Sequence, residues 1–436
     1  MAAKSDGISK SRTAWFQQER FGMFIHWGLY SMPARHEWVR HNERISNEQY
    51  QKYFDRFSPD LYEPVEWARM AKNAGMKYFV ITAKHHEGFC LWDSKYTDYK
   101  ATKTPWGKDL LKPMVDAFRA EGIKVGLYYS LIDWHHPDFP IDKIHPMRDD
   151  KAFREKEKNR DVRKYAAYMR NQITELLTKF GKIDILWFDF SYPGEDGKGH
   201  KDWESEKLLK LIRKLQPDIM LDNRLDLPGS GDFETPEQFQ PREGLKDKEG
   251  NPIVWEACQT LSGSWGYHRD EMTFREDDEL VRTLIDCVSK KGNLLLNIGP
   301  TSRGEIDYRA QDKLSAIGEW MRRHSRSIYA CTQAPPEFKC PPGCNLTYNP
   351  VTKRLYLHVL AWPYKHITME GKAYVEQVQY AQFLHDGSEI AMKGLEPWQE
   401  GQNHSLGGES TLSITLPQMK PKVIVPVVEL FLKENK

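Results

Sequence analysis

The sequence predicts an α/β fold, a (β/α) TIM-like barrel followed by a C-terminal all-β sandwich, and three observations predict it. From residue 21 to 296, short apolar runs alternate with longer amphipathic stretches, the pattern of repeated β-α units around a parallel sheet. Nearly every apolar run ends within a few residues of a His, Asp, Glu, Arg or Asn, as expected where barrel enzymes build their sites. Beyond residue 324 the texture changes, and the breakers Ala334-Pro335-Pro336 and Pro341-Pro342-Gly343 lead into stretches of alternating polarity. A chain of 436 residues exceeds what one core usually holds, so the expected division is a barrel over 1–335 and a sandwich over 346–436.

Strands are expected at 22–26, 77–83, 124–130, 183–190, 219–223, 253–257 and 293–297. Ser58-Pro59 reads as the N-cap and first-turn proline of a helix that runs through Trp67, Met70 and Ala71 and stops at Gly75. Further helices are expected at 109–121, closed by Gly122, at 161–180, closed by Gly181, at 202–215 before Pro217, at 277–290 and at 308–324. Seven strands are visible, so the barrel is degenerate or one strand is hidden, and a doubly wound sheet is the structural alternative. Stretches at 354–360, 373–384 and 411–416 supply strands of the sandwich.

Lys and Arg number 63 against 62 Asp and Glu, a net charge of +1, so no overall field gathers nucleic acid or an anionic membrane, and a neutral partner is expected. No run of 18 apolar residues offers a membrane span, and Met1 to Arg20 lacks the apolar core of a secretory signal, which makes the expected location cytoplasmic. The 14 Trp and 20 Tyr include a supply of ring faces on which sugars stack. Six cysteines are too sparse for a disulfide framework; Cys340 and Cys344 flank Pro-Pro-Gly without a second close pair, so free thiols are expected rather than a metal knuckle.

Three constellations carry chemistry. The run Ile183-Asp184-Ile185-Leu186-Trp187-Phe188-Asp189-Phe190 is a buried strand ending in an acid, and a carboxylate among aromatics costs desolvation unless it is used or paired. Gly231-Asp232-Phe233-Glu234-Thr235-Pro236-Glu237 follows the strand end Asp222-Asn223-Arg224 and offers two carboxylates, Glu234 and Glu237, on a loop. His26, the pair His85-His86 and the pair His135-His136 stand at strand ends; adjacent His on an extended chain point to opposite faces, so hydrogen bonding to hydroxyls is favoured over a shared metal.

Taken in order over residues 14–330, Phe21-Gly22-Met23-Phe24-Ile25-His26-Trp27-Gly28, Glu37-Trp38, Lys84-His85-His86-Glu87-Gly88-Phe89, Tyr128-Tyr129-Ser130 with Asp133-Trp134, Trp265-Gly266-Tyr267 and 292–300 resemble the α-L-fucosidases of glycoside hydrolase family 29. The resemblance implies retaining hydrolysis of α-linked L-fucose from fucosylated oligosaccharides or glycoconjugates, with no cofactor and no metal. It implies Asp189 as nucleophile and, through Asp232-Phe233-Glu234-Thr235-Pro236-Glu237, Glu237 as acid/base. It places sugar contacts at His26, Glu37, Trp38, His85, His86, Tyr129 and Arg224, with Trp265 or Tyr267 near the sugar methyl. The chemistry agrees: retention needs two carboxyls about 5–5.5 Å apart, one ionised and one protonated, and Arg224 within salt-bridge range would keep Asp189 ionised. The competing readings are a metal-dependent barrel hydrolase using the histidines and a non-catalytic sugar-binding protein.

Overall fold

The computed structural model describes residues 12–393 and 410–433. Residues 1–11, 394–409 and 434–436, which the reading above assigns to the N-terminus and to the sandwich, lie outside the described residues. Among the described residues no helix is long and apolar enough to cross a membrane.

Seven parallel strands form the barrel sheet: β1 (Phe21–Ile25), β2 (Tyr78–Lys84), β3 (Lys124–Ser130), β4 (Ile185–Asp189), β5 (Met220–Leu221), β6 (Glu256–Thr260) and β7 (Asn293–Ile298), in the order β5-β4-β3-β2-β1-β7-β6. Parity along the strands separates two apolar layers. Phe24, Tyr78, Tyr128, Ile185, Trp187, Met220, Cys258 and Leu295 fill the barrel interior. The alternate residues, among them Phe79, Leu127, Tyr129 and Leu186, face the surrounding helices.

The edges β5 and β6 do not pair with each other, and the segment 232–238 lies between them in place of an eighth strand. It bridges in parallel to both sides, Asp222 to Phe233 on one and Glu234 to Trp255 and Glu237 to Cys258 on the other. The Asp232 N–H donates to Leu221 O at 2.7 Å, and the Glu256 and Cys258 N–H groups donate to Glu234 and Pro236 carbonyls at 2.9 and 3.1 Å. A regular strand is denied here because Pro236 has no N–H and because Gly231 passes so close to Asp222 and Asn223 that a Cβ would lie 2.8 Å from the Asn223 Cα. Two boundaries are displaced. The strand expected at 219–223 shrinks to two residues, with Asp222 bridging to Phe233, and the one expected at 253–257 begins at Glu256, where its ladder with β7 starts.

Helices α1 (Pro64–Asn73), α2 (Leu111–Ala120), α3 (Val162–Lys179), α4 (Ser205–Leu215), α5 (Asp277–Ser289) and α6 (Tyr308–His324) cover the sheet. The start read at Ser58-Pro59 is corrected: Pro64 occupies the first turn, while Ser58 and Pro59 close turns onto Asp60 and Tyr62. Both sites offer a first-turn proline, but only the second leads directly into the apolar face of Trp67, Ala68 and Ala71.

The C-terminal part carries β8 (Thr332–Gln333), β9 (Cys344–Asn349), β10 (Arg354–Val359), β11 (His366–Glu370), β12 (Val378–Phe383), β13 (Met392–Lys393), β14 (Thr411–Thr415) and β15 (Val427–Leu432), which form a five-stranded antiparallel sheet, β12-β15-β10-β9-β8, and a three-stranded one, β11-β14-β13, around a core of their own. Its first strand, β8 (Thr332–Gln333), precedes the breaker-rich stretch and pairs with β9 (Cys344–Asn349), so the sheet starts before residue 346. The stretch expected as a strand from 373 opens instead as a short helix, Lys372–Gln377, before β12 (Val378–Phe383). The part is pinned to the barrel by Trp320, whose indole N–H donates to Val425 O at 2.8 Å, and by Arg326 on Glu429 at 2.9 Å. All six cysteines are free.

Candidate active site

The C-terminal ends of the strands converge on a pocket of about 90 Å³ whose walls include His26, Trp38, His85, His86, Asp189 and Glu237. Asp189 is the last residue of β4, paired in register with Ser130. Its Oδ1 accepts from Arg224 at 2.7 Å, its Oδ2 accepts from the Tyr128 hydroxyl at 2.7 Å, and His86 Nε2 lies 3.8 Å from Oδ2. Burial opposes charge on this carboxyl, but the Arg224 cation and the Tyr128 hydrogen bond outweigh it and hold Asp189 below the usual carboxylate range. The other terminal nitrogen of the same guanidinium reaches Glu237 Oε2 at 2.8 Å. Arg224 lies over the Trp187 ring at 4.5 Å and donates through Nε to the Thr235 hydroxyl at 3.0 Å. One planar cation thus spans the two carboxylates, an arrangement compatible with the about 5–5.5 Å spacing of a retaining pair.

The histidines are presented as neutral rings. Burial pushes His26 down to about 3 and His86 down to about 4, and it drives His85 well below the ordinary imidazole value. His26 Nδ1 is fixed by Asn297 at 2.6 Å and His86 Nδ1 by Ser130 at 2.7 Å, which leaves each Nε2 for a ligand. His85 Nδ1 is buried without a hydrogen-bond partner among the described residues. His85 and His86 would face opposite ways only on an extended chain, and here the chain turns. The ladder slips between Thr82 and Lys84, a turn closes from Gly88 N–H to His85 O at 3.0 Å, and the two rings lie 3.9 Å apart. Gly88 makes that turn at φ +85, where a Cβ would sit 2.1 Å from Asp133. Even so, among the described residues no group of three or more His, Cys, Asp or Glu side chains is arranged to hold a metal.

The chain matches the family model for alpha-L-fucosidase over residues 2–326. The chain belongs to the α-L-fucosidase family. It is 28% identical to the tissue alpha-L-fucosidase of Homo sapiens, across 95% of this chain and 87% of that one. The structure of alpha-L-fucosidase isoenzyme 1 from Paenibacillus thiaminolyticus superposes with a TM-score of 0.91 at 45% identity, covering 98% of this chain and all of that one. A GH29 alpha-L-fucosidase from Bacteroides thetaiotaomicron, trapped as a covalent intermediate with 2-fluoro-fucosyl fluoride, superposes at 0.81 with 27% identity, covering 97% of this chain and 96% of that one. The barrel with its appended β-sheets is therefore the fold of these fucosidases, and the chain is a glycoside hydrolase whose substrates are fucosylated glycans.

Of the residues expected in a fucosidase site, His26, Glu37, Trp38, His85, His86, Asp189, Arg224, Glu237 and Trp265 all border the pocket. Glu37 is buried with Oε2 accepting from Gly266 N–H at 2.8 Å, and its burial raises the carboxyl above its ordinary value. Two expected residues are elsewhere. Tyr129 points outward and donates to Gln172 at 2.7 Å; Tyr128 takes the inward place, because it pairs with Trp187 and shares its face. Tyr267 borders a separate hollow with Phe274 and Arg309, which leaves Trp265 as the aromatic at the pocket. Glu234 does not border the pocket; it binds the Asn223 amide, and burial raises its carboxyl. Sequence reasoning missed Tyr128, Phe190 and Cys258 on the wall and Asp222 behind it. Asp222 is fully buried, accepts from Phe188 N–H at 3.0 Å and is pushed well above the carboxylate range by burial.

Proposed function

We propose that in this member of the α-L-fucosidase family Asp189 is the nucleophile and Glu237 the acid/base of a double displacement that removes terminal α-linked L-fucose. The observation that carries the assignment is the shared guanidinium: Arg224 binds Asp189 and Glu237 at 2.7 and 2.8 Å, and both border one pocket with three neutral histidines. Asp189, held ionised, attacks the anomeric carbon while Glu237 gives its proton to the departing oxygen. Glu237 then takes a proton from water, which displaces Asp189 from the opposite face, so two inversions restore the α configuration. The imidazoles of His26, His85 and His86 offer neutral donors and acceptors suited to ring hydroxyls. Proton NMR of a synthetic α-fucoside during turnover tests substrate and stereochemistry together. The first product should be α-L-fucose, mutarotating later; initial release of the β anomer would rule out double displacement.

A further inference from the structure

Three residues of the sequence motifs, Lys84, Tyr129 and Asp133, do not border the pocket, and they meet behind it. Lys84 is the last residue of β2, and its side chain is fully buried between β3 and α3. Its ammonium donates to Asp133 Oδ2 at 3.1 Å and to the Tyr165 hydroxyl at 3.0 Å, and it stands 4.4 Å from the centre of the Tyr129 ring. A cation this far from water keeps its charge only with a partner. Asp133 is that partner: burial opposes charge on its carboxyl, yet with the Lys84 cation as the main opposing charge it lies below the usual carboxylate range.

The pair is placed to shape the turn that carries His85 and His86. Lys84 directly precedes His85, at the point where the ladder with β3 slips. Such irregularities beside active sites re-aim side chains. Asp133 Oδ1 accepts the N–H groups of His135 and His136 at 3.0 and 2.9 Å, which folds 133–136 into a turn, and from that turn the Trp134 N–H donates to His86 O at 2.8 Å. Gly88 packs against the same Oδ1, with no room for a Cβ between them. The segment 85–88 is thus held at its start through Lys84, at its middle through Trp134 and at its end by the fit of Gly88, and all three ties converge on one carboxylate.

We propose that the buried Lys84–Asp133 ion pair is a positioning device for this site, holding the turn so that both imidazoles face the pocket while neither member of the pair touches substrate. The proposal rests on the reading of His86 as a partner of a sugar hydroxyl.

The test separates positioning from mere stability. Lys84→Met removes the ammonium and keeps the length of the side chain; kcat/KM for an aryl α-fucoside should fall about 10²-fold, the scale of a misplacement on the order of 1 Å at a reacting group. L-fucose, titrated by calorimetry into protein shown to be folded by circular dichroism, should bind about tenfold more weakly, the scale of one hydrogen bond. Asp133→Asn keeps the size and an acceptor for His135 and His136 but loses the charge, and it should weaken both in the same direction. Tyr165→Phe deletes one oxygen from the cage around Lys84 and should give a smaller loss. The deciding readout is a double-mutant cycle: in a His86→Ala background, the cost of Lys84→Met in kcat/KM should shrink to less than about tenfold, because one of the two imidazoles it positions is gone. Should Lys84→Met fail to fold, Asp133→Asn and Tyr165→Phe carry the same cycle. Equal losses in the two backgrounds, or folded variants with unchanged affinity and rate, would mean that the pair serves the fold alone and overturn the proposal. If His86→Ala by itself binds L-fucose as tightly as the unsubstituted protein, the reading of that histidine fails first and the positioning role goes with it.

Discussion

The two carboxylates that meet at Arg224 come from opposite kinds of structure. Asp189 ends a regular strand, is paired in register with β3, and has a side chain 14% exposed. Glu237 sits in the irregular segment that replaces the eighth strand, with a side chain 42% exposed. The difference matches what each group must do. An attacking oxygen has to sit at a fixed place beneath one sugar ring, whereas a proton donor faces leaving groups of many shapes. Yet 232–238 is not a free loop: its bridges to β5 and β6 confine it, so the acid gains tolerance without losing its address.

The largest effect should come from the rigid side. Replacing Asp189 with Gly removes the atom that forms the glycosyl-enzyme, and hydrolysis of all α-fucosides should fall by about 10⁴-fold, with the fold retained by circular dichroism. Added azide should then give the inverted β-fucosyl azide. A variant that keeps its rate would place the nucleophile elsewhere and dissolve the contrast.

On the adaptable side the loss should depend on the leaving group. Glu237→Ala should slow glycans with poor leaving groups by about 10²–10⁴-fold while activated aryl fucosides react far better, and azide should return the retained α-fucosyl azide. Glu234→Ala is the control, because its carboxyl faces Asn223 outside the pocket. If Glu234→Ala shows the leaving-group dependence and Glu237→Ala does not, the acid has been assigned three residues too late.

Much of this was legible in the sequence, and the failures have physical causes. An apolar run ending in a carboxylate located Asp189, and the next strand end supplied Arg224, because parallel strands bring their C-termini to one face. The choice of Tyr129 over Tyr128 ignored strand parity, which Trp187 would have settled once the β3–β4 register was known. The eighth strand was hidden since Gly231, Asp232, Glu234 and Pro236 give no alternation to read, and its pairing is visible only as isolated bridges. His85 and His86 share a pocket through a ladder slip that no local pattern announces.

Arg224 joins the two regions, so removing it should sharpen their difference. In Arg224→Ala, Asp189 loses the cation that offsets its burial, and its acid limb in kcat/KM should move to higher pH. The sign follows from the direction of the shift: a carboxyl held low stays ionised as pH falls, and one released from its partner protonates sooner. An acid limb that stays in place would mean that the Tyr128 hydrogen bond suffices to keep Asp189 charged.

The smallest effect concerns Asp222, which supports the rigid side from behind. Ladder pairing between β4 and β5 covers only Ile185 with Met220 and Leu186 with Leu221, and beyond it the Asp222 side chain supplies the acceptor for Phe188 N–H, one residue before the nucleophile. Its other oxygen is buried without a hydrogen-bond partner among the described residues, and burial, against the pull of the Arg224 cation, raises its carboxyl and favours the protonated form in the fold. A carboxyl raised in the folded state binds a proton that the unfolded chain releases near pH 4, so its contribution to stability declines as pH rises above that value. Asp222→Asn keeps an acceptor for Phe188 and carries no such proton. Its melting temperature should therefore gain on that of the unsubstituted protein between pH 5 and pH 8, while the acid limb of kcat/KM stays put. Asp222→Ala instead strands the Phe188 N–H, at about 1–3 kcal/mol. An Asn variant that loses ground at pH 8 would show that Asp222 is charged in the fold and acts as a second anion on Arg224.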